Sequence, residues 1–279
     1  RKKAQYHTPT KSGFKKKMPI KLTGQKSFLA FTFCALVFFV SFLFPVLQML
    51  YWTISFPKHL ADLNLIKLFS NTILLVFLSS ILLISLSFIS NYGNRVTRSK
   101  LLSLLTTFSV SGYAIPGIIL AVAFISFISW FDNNVISFFG LKTIKSIFIG
   151  SVLGLILVYF IRFYSLASNG LKSGYLKINY SIDESAYLLG YSKFKTFTNI
   201  HIPYLKNSML LIGILITIEI IKELPITLIM RPFNFETFAT TAYIFASQDL
   251  LEAAAAPSLF LIIIASFFIL ITSKYILKD

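Results

Sequence analysis

The sequence is poor in the residues that support covalent or metal chemistry. It contains one cysteine and three histidines among 279 residues, and only 10 acidic residues against 26 Lys and Arg. A single cysteine, Cys34, excludes a disulfide within the chain and a cysteine-based metal site. No G-x-x-x-x-G-K-[ST] motif occurs, so the sequence has no P-loop for the phosphates of a nucleotide.

Charged residues are scarce as a class, while apolar residues are abundant. Only 13% of residues are charged, 56% are hydrophobic, and 30 are Phe. The mean hydropathy is +0.78. A chain of this composition cannot hide its apolar surface in a water-soluble core. Because lipid offers the backbone no hydrogen-bond partners, the spanning segments must be helical. The sequence therefore predicts an all-α membrane protein.

Six apolar stretches are long enough to cross the hydrocarbon layer, which takes roughly 20 helical residues. They cover residues 28–50, 68–90, 112–131, 147–166, 205–227 and 254–275. No Asp and no His falls inside them, which argues against an intramembrane enzyme with a nucleophile and a base. We divide the chain into a basic linker, residues 1–27, and a six-span domain, residues 28–279.

The distribution of Lys and Arg predicts the orientation in the membrane. Nine of them lie in the first 26 residues, and most of the others fall on the same predicted side. The opposite side has only Lys58, Lys67, Lys142, Lys145 and Arg231. By the positive-inside rule, both termini and the segment 181–203 face the cytoplasm. The net charge of +16 then reflects topology and contact with anionic lipid. The basic tail lacks the interleaved aromatic pattern of a nucleic-acid site, so no nucleic-acid partner is expected.

The segment 181–203 has the pattern of two short helices separated by a glycine. Ser181 and Glu184 have the spacing of a capping box, which predicts a helix start. Gly190 is the residue type that ends a helix in a left-handed conformation, and Ser192 can cap a second helix. Pro203 fits the first turn of the next span. Helices this short need a partner, either a protein or, in the alternative interpretation, the lipid surface.

This segment resembles the cytoplasmic loop of permease subunits of binding-protein-dependent ABC importers. The loop pattern in that family is E-A-A, three residues, G, nine residues, I-x-L-P. Glu184, Ala186, Gly190, Ile200 and Pro203 match the pattern, whereas Ser185 and Ile202 depart from it. The resemblance implies a type I ABC importer permease fold, with the segment as the coupling helix that docks on a separate ATPase dimer.

The same resemblance implies further partners. They are an extracytoplasmic substrate-binding protein and a second permease half, all assembled at the bacterial inner membrane. ATP is bound by the partner ATPase, so no cofactor is expected in this chain. The sequence does not begin with Met, and we expect it to be the C-terminal half of a fused permease.

Three other motifs resemble ferric-iron permeases. They are Lys-Glu-Leu-Pro at 222–225, Arg-Pro-Phe-Asn-Phe at 231–235 and Gly-Tyr-Ala-Ile-Pro-Gly at 112–117. The resemblance implies ferric iron as the cargo. Permeases for thiamine, polyamines and other small solutes share parts of these motifs, so another small solute is an alternative cargo. An ion-driven carrier or channel is the alternative from another class.

The fifth apolar stretch carries Glu219, Lys222 and Glu223 at i, i+3 and i+4. They share one helix face, on which Lys222 can pair with Glu219. Charges inside a membrane normally face the protein interior or water, so these three, with Pro225 and Arg231, are candidates for the translocation path. A purely structural ion-paired cluster is the other interpretation. Pro225 predicts a break in the helix. Two carboxylates could offer oxygen ligands to a metal, but the spacing demands no stable metal site.

Small residues predict where helices approach closely. Gly150 and Gly154 have the small-xxx-small spacing that lets two transmembrane helices pack at short distance. We therefore expect close approach of helices at Gly112, Gly117, Gly150 and Gly154.

Overall fold

The computed structural model describes residues 22–97, 99–139 and 147–276, which include no β-strand. Residues 1–21 of the predicted linker lie outside the described part. The first helix, α1 (Gln25–Phe38), continues through a π-helical turn (Phe39–Leu43) into α2 (Phe44–Ser55). Pro45 has no N–H to donate and sits directly after this turn, where a regular α-helix would be disturbed. The chain divides into two compact units, one that ends at Leu47 and one that covers residues 48–279.

The unit 48–279 continues the chain as a series of helices. They are α3 (Pro57–Ala61), α4 (Leu65–Thr97), α5 (Lys100–Val110), α6 (Gly117–Phe139), α7 (Val152–Tyr175), α8 (Tyr180–Leu188), α9 (Lys193–Thr196), α10 (Ile202–Ile221), α11 (Pro225–Met230), α12 (Phe238–Ser247) and α13 (Leu251–Ile276). A 3-10 turn (Ser111–Ala114) separates α5 from α6, and a π-helical turn (Phe197–His201) joins α9 to α10.

Six helices in the described residues are long and apolar enough to cross a membrane. They are Gln25–Ser55, Leu65–Thr97, Gly117–Val135, Val152–Tyr175, Lys193–Ile221 and Leu251–Lys274. Each overlaps one stretch predicted from the sequence, so the six-span prediction is confirmed. The protein is a multi-pass membrane protein.

Two span boundaries differ from the prediction because the backbone breaks. The third spanning helix begins at Gly117 rather than at residue 112, since the 3-10 turn and Pro116 precede it. It continues past residue 131 and so includes Asp132. The fifth ends at Ile221, and Pro225 starts the separate helix α11. The expectation that the spans lack Asp and His was wrong, because His201 also lies within the continuous helix Lys193–Ile221.

The core of the unit lies where α4, α7 and α10 pack against one another. Buried apolar side chains from all three helices meet there, among them Leu83, Leu155, Leu171 and Ile216. Two glycines of α7 allow the close approach of α10. A Cβ added at Gly170 would lie 2.7 Å from Ile212, and one added at Gly174 would lie 3.0 Å from Leu205.

The predicted close approach is confirmed at Gly112, where a Cβ would overlap the carbonyl oxygen of Ile161 of α7. The prediction for Gly150 and Gly154 was wrong, and the contact between α7 and α10 uses Gly170 and Gly174 instead. Gly150 has φ of +65° and belongs to the turn before α7. A Cβ at Gly154 would overlap the carbonyl oxygen of Phe148, which is in the same turn. Gly154 thus allows a local turn instead of a contact between helices.

Asp132 fixes the turn that leads into α7. Its side chain is buried, and its Oδ2 accepts from the backbone N–H groups of Ile147, Phe148 and Ile149 at 3.1, 3.0 and 3.3 Å. A carboxylate that accepts several N–H groups replaces the water those groups would otherwise bind.

We expect Asp132→Leu to lower the free energy of unfolding by about 2–5 kcal/mol, because buried N–H groups lose their acceptor. Thermal unfolding of the purified protein measures the effect. Asp132→Asn is the matched control, since it keeps an oxygen in place and should cost less. Equal melting temperatures for the Leu variant and the unmodified protein would contradict the role of Asp132.

Candidate coupling site

The elbow comprises α8, the bend at Gly190, and α9. Asn179 caps α8, and its side chain accepts from the N–H of Ser181 at 3.3 Å. The predicted capping box at Ser181 was wrong, because Asn179 comes two residues earlier and makes the Asx-type bond that favours a helix start there. Glu184 consequently lies one turn inside α8, where it is exposed.

The bend itself has the predicted conformation. Gly190 has φ of +80°. The N–H of Tyr191 donates to the carbonyl of Ala186 at 3.0 Å, and the N–H of Gly190 donates to that of Tyr187 at 3.0 Å. This pair of bonds is the Schellman motif that ends a helix at a left-handed glycine. Ser192 then caps α9 by accepting from the N–H of Lys195 at 3.2 Å.

The elbow presents an exposed apolar tip. Leu188 is 90% exposed, Leu189 is 77% exposed and Phe194 is 74% exposed, on either side of Gly190. Ala186 is buried beneath them. Adjacent exposed apolar side chains mark a surface that another protein or a membrane covers.

A buried carboxylate connects α8 to two spanning helices. Asp183 Oδ2 accepts from Arg95 Nε of α4 at 2.6 Å, and Asp183 Oδ1 accepts from His201 Nε2, just before α10, at 2.7 Å. The side chain of His201 is fully buried, and those of Arg95 and Asp183 are nearly so. We call Arg95, Asp183 and His201 the anchor.

Arg95 also attaches α8 to the end of α7. Its Nη1 donates to the carbonyl of Ile178 at 3.0 Å, and its Nη2 donates to that of Asn179 at 3.0 Å. Nη1 also lies 3.4 Å from the carbonyl oxygen of Tyr175, the last residue of α7, where the helix dipole favours a positive charge. The anchor therefore joins the elbow to α4, α7 and α10, the three helices of the core.

Aromatic side chains hold the second half of the elbow. Tyr92 of α4 donates its hydroxyl to the carbonyl of Lys193 at 2.6 Å. The ring of Phe197 lies 4.8 Å from the ring of Phe88 and 4.8 Å from that of Tyr92. Rings at this spacing add to the stabilisation from burial. The start of α9 is thus fixed to α4 as firmly as α8 is.

The other residues matched to the loop pattern differ in their surroundings. Ile200 is half-buried in the π-helical turn, and Pro203 is exposed in the first turn of α10. The sequence analysis singled out the surface of the elbow but missed the anchor. The sequence offered one sign of the anchor, which is the acidic residue Asp183 next to Glu184 of the loop pattern.

The charged candidate path residues belong to three ion pairs. Lys222 Nζ lies 2.7 Å from Glu219 Oε1, as predicted, and Glu223 pairs with Arg162 of α7 at 3.4 Å. Arg231 instead pairs with Glu236 in the segment after α11. Among the described residues, no group of three or more His, Cys, Asp or Glu could hold a metal ion.

The segment after α11 is fixed to the other end of α4. Lys67 Nζ donates to Asn234 Oδ1 at 2.9 Å, and Asn71 Nδ2 donates to the carbonyl of Glu236 at 2.8 Å. We call this the loop end of the bundle. Helix α4 has 33 residues and is about 50 Å long, so the loop end and the elbow are separated by the full height of the bundle.

Comparison with solved structures identifies the fold. A chain from the crystal structure of a bacterial alginate ABC transporter, in complex with alginate pentasaccharide-bound periplasmic protein, matches with a TM-score of 0.69 and 16% identity over 88% of this chain and 92% of that chain. A bacterial ABC transporter involved in alginate import matches with a TM-score of 0.67 and 17% identity over 89% and 94%. The chain has the fold of an ABC importer permease. This permease fold is the one that the resemblance at 184–203 implied.

Sequence comparison agrees with the permease fold. No protein-family model matches the sequence. The chain is 21% identical over 260 residues to the Fe(3+)-transport system permease protein FbpB 2 of Haemophilus influenzae. The match covers 92% of this chain and 49% of the relative, so the chain spans about half the length of that curated relative.

Proposed function

We propose that the chain is a permease unit of an ATP-driven importer and that the elbow docks on a separate ATPase dimer. One observation carries the proposal: an exposed apolar bend is fixed to core helices of a permease fold by the buried ion pair of Asp183 with Arg95 and the buried hydrogen bond between Asp183 and His201. Glu184, Ala186, Gly190, Ile200 and Pro203 form or support this docking element. The ATPase binds and hydrolyses the ATP.

The anchor gives the elbow a mechanical role. A force applied at Leu188 reaches Asp183 along α8, and Asp183 is bonded to Arg95 of α4 and to His201 at the start of α10. Rigid elements that have two arrangements carry such motions between sites. Closure of the ATPase dimer then moves the core helices together, which switches access between the two sides of the membrane.

The charge distribution supports one orientation. The basic N-terminal residues and the elbow face the cytoplasm by the positive-inside rule, and the loop end faces outward. We place the protein in a bacterial inner membrane, with a substrate-binding protein at the loop end. A second permease half completes the path, and the first of the alginate structures includes a periplasmic protein in its own complex.

Ferric iron is the cargo that we propose. Its support is the similarity, over 92% of the chain, to a protein named for Fe(3+) transport. The structural neighbours concern alginate, so the fold is compatible with other cargo. Cellular iron, measured in strains with and without the gene that grow in iron-limited medium, tests the assignment. Unchanged iron in the deletion strain would redirect the search to another small solute.

We expect Glu184→Lys to abolish copurification of the ATPase and ATP-dependent uptake, because a cation replaces an exposed carboxylate on the docking surface. Affinity purification of the permease from membranes, followed by an uptake assay in vesicles, measures both. Asp62→Lys is the matched control for ATPase copurification, since it reverses an exposed charge near the start of α4, at the opposite end of the bundle from the elbow. Normal ATPase binding by the Glu184 variant would contradict docking at the elbow.

A further inference from the structure

Two helices of the bundle are interrupted beside α7. The first interruption consists of the 3-10 turn Ser111–Ala114 with residues 115 and 116, between α5 and α6. The second consists of residues 222–224, between α10 and α11. Non-helical backbone at membrane depth is tolerated only where it is buried in protein or lines a water-filled cavity.

The first interruption lies directly on the backbone of α7. A Cβ added at Gly112 would overlap the carbonyl oxygen of Ile161, so only glycine fits there. A Cβ added at Gly117 would lie 3.0 Å from Glu223 Oε1 and 3.2 Å from Arg162 Nη1. The motif at 112–117 and the motif at 222–225, which are far apart in the sequence, therefore meet at Arg162.

Arg162 of α7 contacts both interruptions. Arg162 Nη1 donates to the carbonyl of Ile115 in the first, at 2.9 Å, and Arg162 Nε lies 3.4 Å from Glu223 Oε2 in the second. Glu223 Oε1 also accepts from the N–H of Ile226 at the start of α11, at 3.3 Å. If the pair separated, the segment 222–224 would lose its ion pair with α7, whereas the first interruption would stay packed on Ile161.

The pair lies beside a second ion pair, that of Lys222 with Glu219. Glu223 is buried, whereas Lys222, the residue before it, is 61% exposed and pairs with Glu219. Charges at membrane depth face water or the protein interior, and transporters place their sites where spanning helices are discontinuous. The ion pair thus lies between packed protein and the exposed side chain of Lys222.

We propose that Arg162 and Glu223 are the latch of the transport gate, closed while they are paired and separated when cargo passes. Arg162 is the positioning residue, because it holds Glu223 and the carbonyl of Ile115 against α7. Separation releases the segment 222–224 from its ion pair with α7, and the paired and separated arrangements are the two states of the gate. The inference rests on the proposed permease function and adds Arg162 to the path residues.

Neutralising both partners tests the latch. Removal of one partner would leave a buried charge without its counter-charge, whereas replacement of both is often tolerated. We therefore choose the double variant R162M/E223Q in the full-length permease, reconstituted in vesicles without ATPase or nucleotide. The vesicles contain calcein, and entry of added Co²⁺ quenches its fluorescence. We expect quenching at least about fivefold faster than in the unmodified protein, because the closed state loses its bias.

Tyr164→Phe is the matched control. Tyr164 is on α7, as Arg162 is, and the substitution removes a hydrogen bond of 2.5 Å to Ser90 of α4. Both interruptions keep their contacts, so vesicles with this variant should not leak. If the double variant has a normal melting temperature and its vesicles leak no more than those of the control, the latch is overturned. That result leaves the permease function standing where the unmodified protein shows ATP-driven uptake. If the double variant does not reach the membrane, Glu223→Asp is the test. Its shorter side chain draws the carboxylate away from Arg162, so its vesicles should leak, and vesicles that do not leak overturn the latch. Absence of ATP-driven uptake in the unmodified protein contradicts the proposed function instead.

Discussion

Asp183→Asn is expected to reduce ATP-driven uptake by tenfold or more while the protein still inserts in the membrane. The carboxylate of Asp183 accepts from Arg95 and from His201 in a buried site. A neutral amide leaves the guanidinium of Arg95 without a counter-charge, and breaking a buried pair in this way costs about 3–5 kcal/mol. A shift of about 1.4 kcal/mol already changes an equilibrium tenfold. Uptake in reconstituted vesicles and thermal unfolding measure the two consequences.

This experiment distinguishes transmission from docking. The exposed tip at Leu188 and Phe194 is unchanged in Asp183→Asn, so the ATPase should still copurify while uptake falls. Glu184→Lys is expected to lose both. If uptake by Asp183→Asn equals that of the unmodified protein at a temperature where both are folded, the anchor does not transmit the motion.

The double variant Arg95→Met with Asp183→Asn separates stability from coupling. Removing both charges avoids an isolated buried guanidinium, so the melting temperature should recover in part. Uptake should stay low, because the link between α8 and α4 is still missing. Recovery of uptake together with stability would show that the pair is needed only for folding.

The elements that the sequence predicted depend on local signals. The six spans appear in the sequence as six long apolar runs. In lipid such runs must be helical, so their positions predict the spanning helices. The bend at Gly190 and the cap at Ser192 depend on neighbours within five residues, and both lie as predicted. The helix start at Ser181 was wrong for a local reason too, since Asn179 is an equally good cap placed two residues earlier.

The contacts that the sequence missed connect distant residues. Arg95 and Asp183 are 88 positions apart, and His201 is 18 positions from Asp183. Helical spacing predicts partners three or four residues away, so it found the pair of Glu219 and Lys222. It assigned Glu223 to the same group, although Glu223 pairs with Arg162 on another helix. Only the packing of α7 against the interruptions brings these two together.

The small-residue motif shows the same limit. The spacing of Gly150 and Gly154 equals that of Gly170 and Gly174, and the pattern alone does not tell which pair faces another helix. Gly170 and Gly174 lie on the face of α7 that packs on α10, whereas Gly150 precedes the helix. A glycine in a turn allows a backbone conformation, whereas a glycine in a packed helix allows the neighbouring helix to approach.

Gly190→Pro is expected to abolish uptake and leave membrane insertion intact. Proline fixes φ near −65°, but the bend requires φ of +80° at this residue. Proline also lacks the N–H that Gly190 donates to the carbonyl of Tyr187. Since a Cβ at Gly190 would meet no atom within 4 Å, the loss follows from the backbone and not from a clash. The tip at Leu188 and Phe194 would then point in a new direction relative to the anchor.

Alanine at two glycines gives the matched comparison. Gly150 also has positive φ, +65°, and open space around its Cβ position, but it lies in the turn before α7. An L-residue held in the left-handed region costs roughly 1–2 kcal/mol, so Gly190→Ala and Gly150→Ala should melt at similarly lowered temperatures. Only Gly190→Ala should lose uptake and ATPase stimulation, because only that bend sets the direction of the docking tip. Equal uptake by the two variants would mean that the bend contributes to stability alone, and the elbow would then dock without steering the core helices.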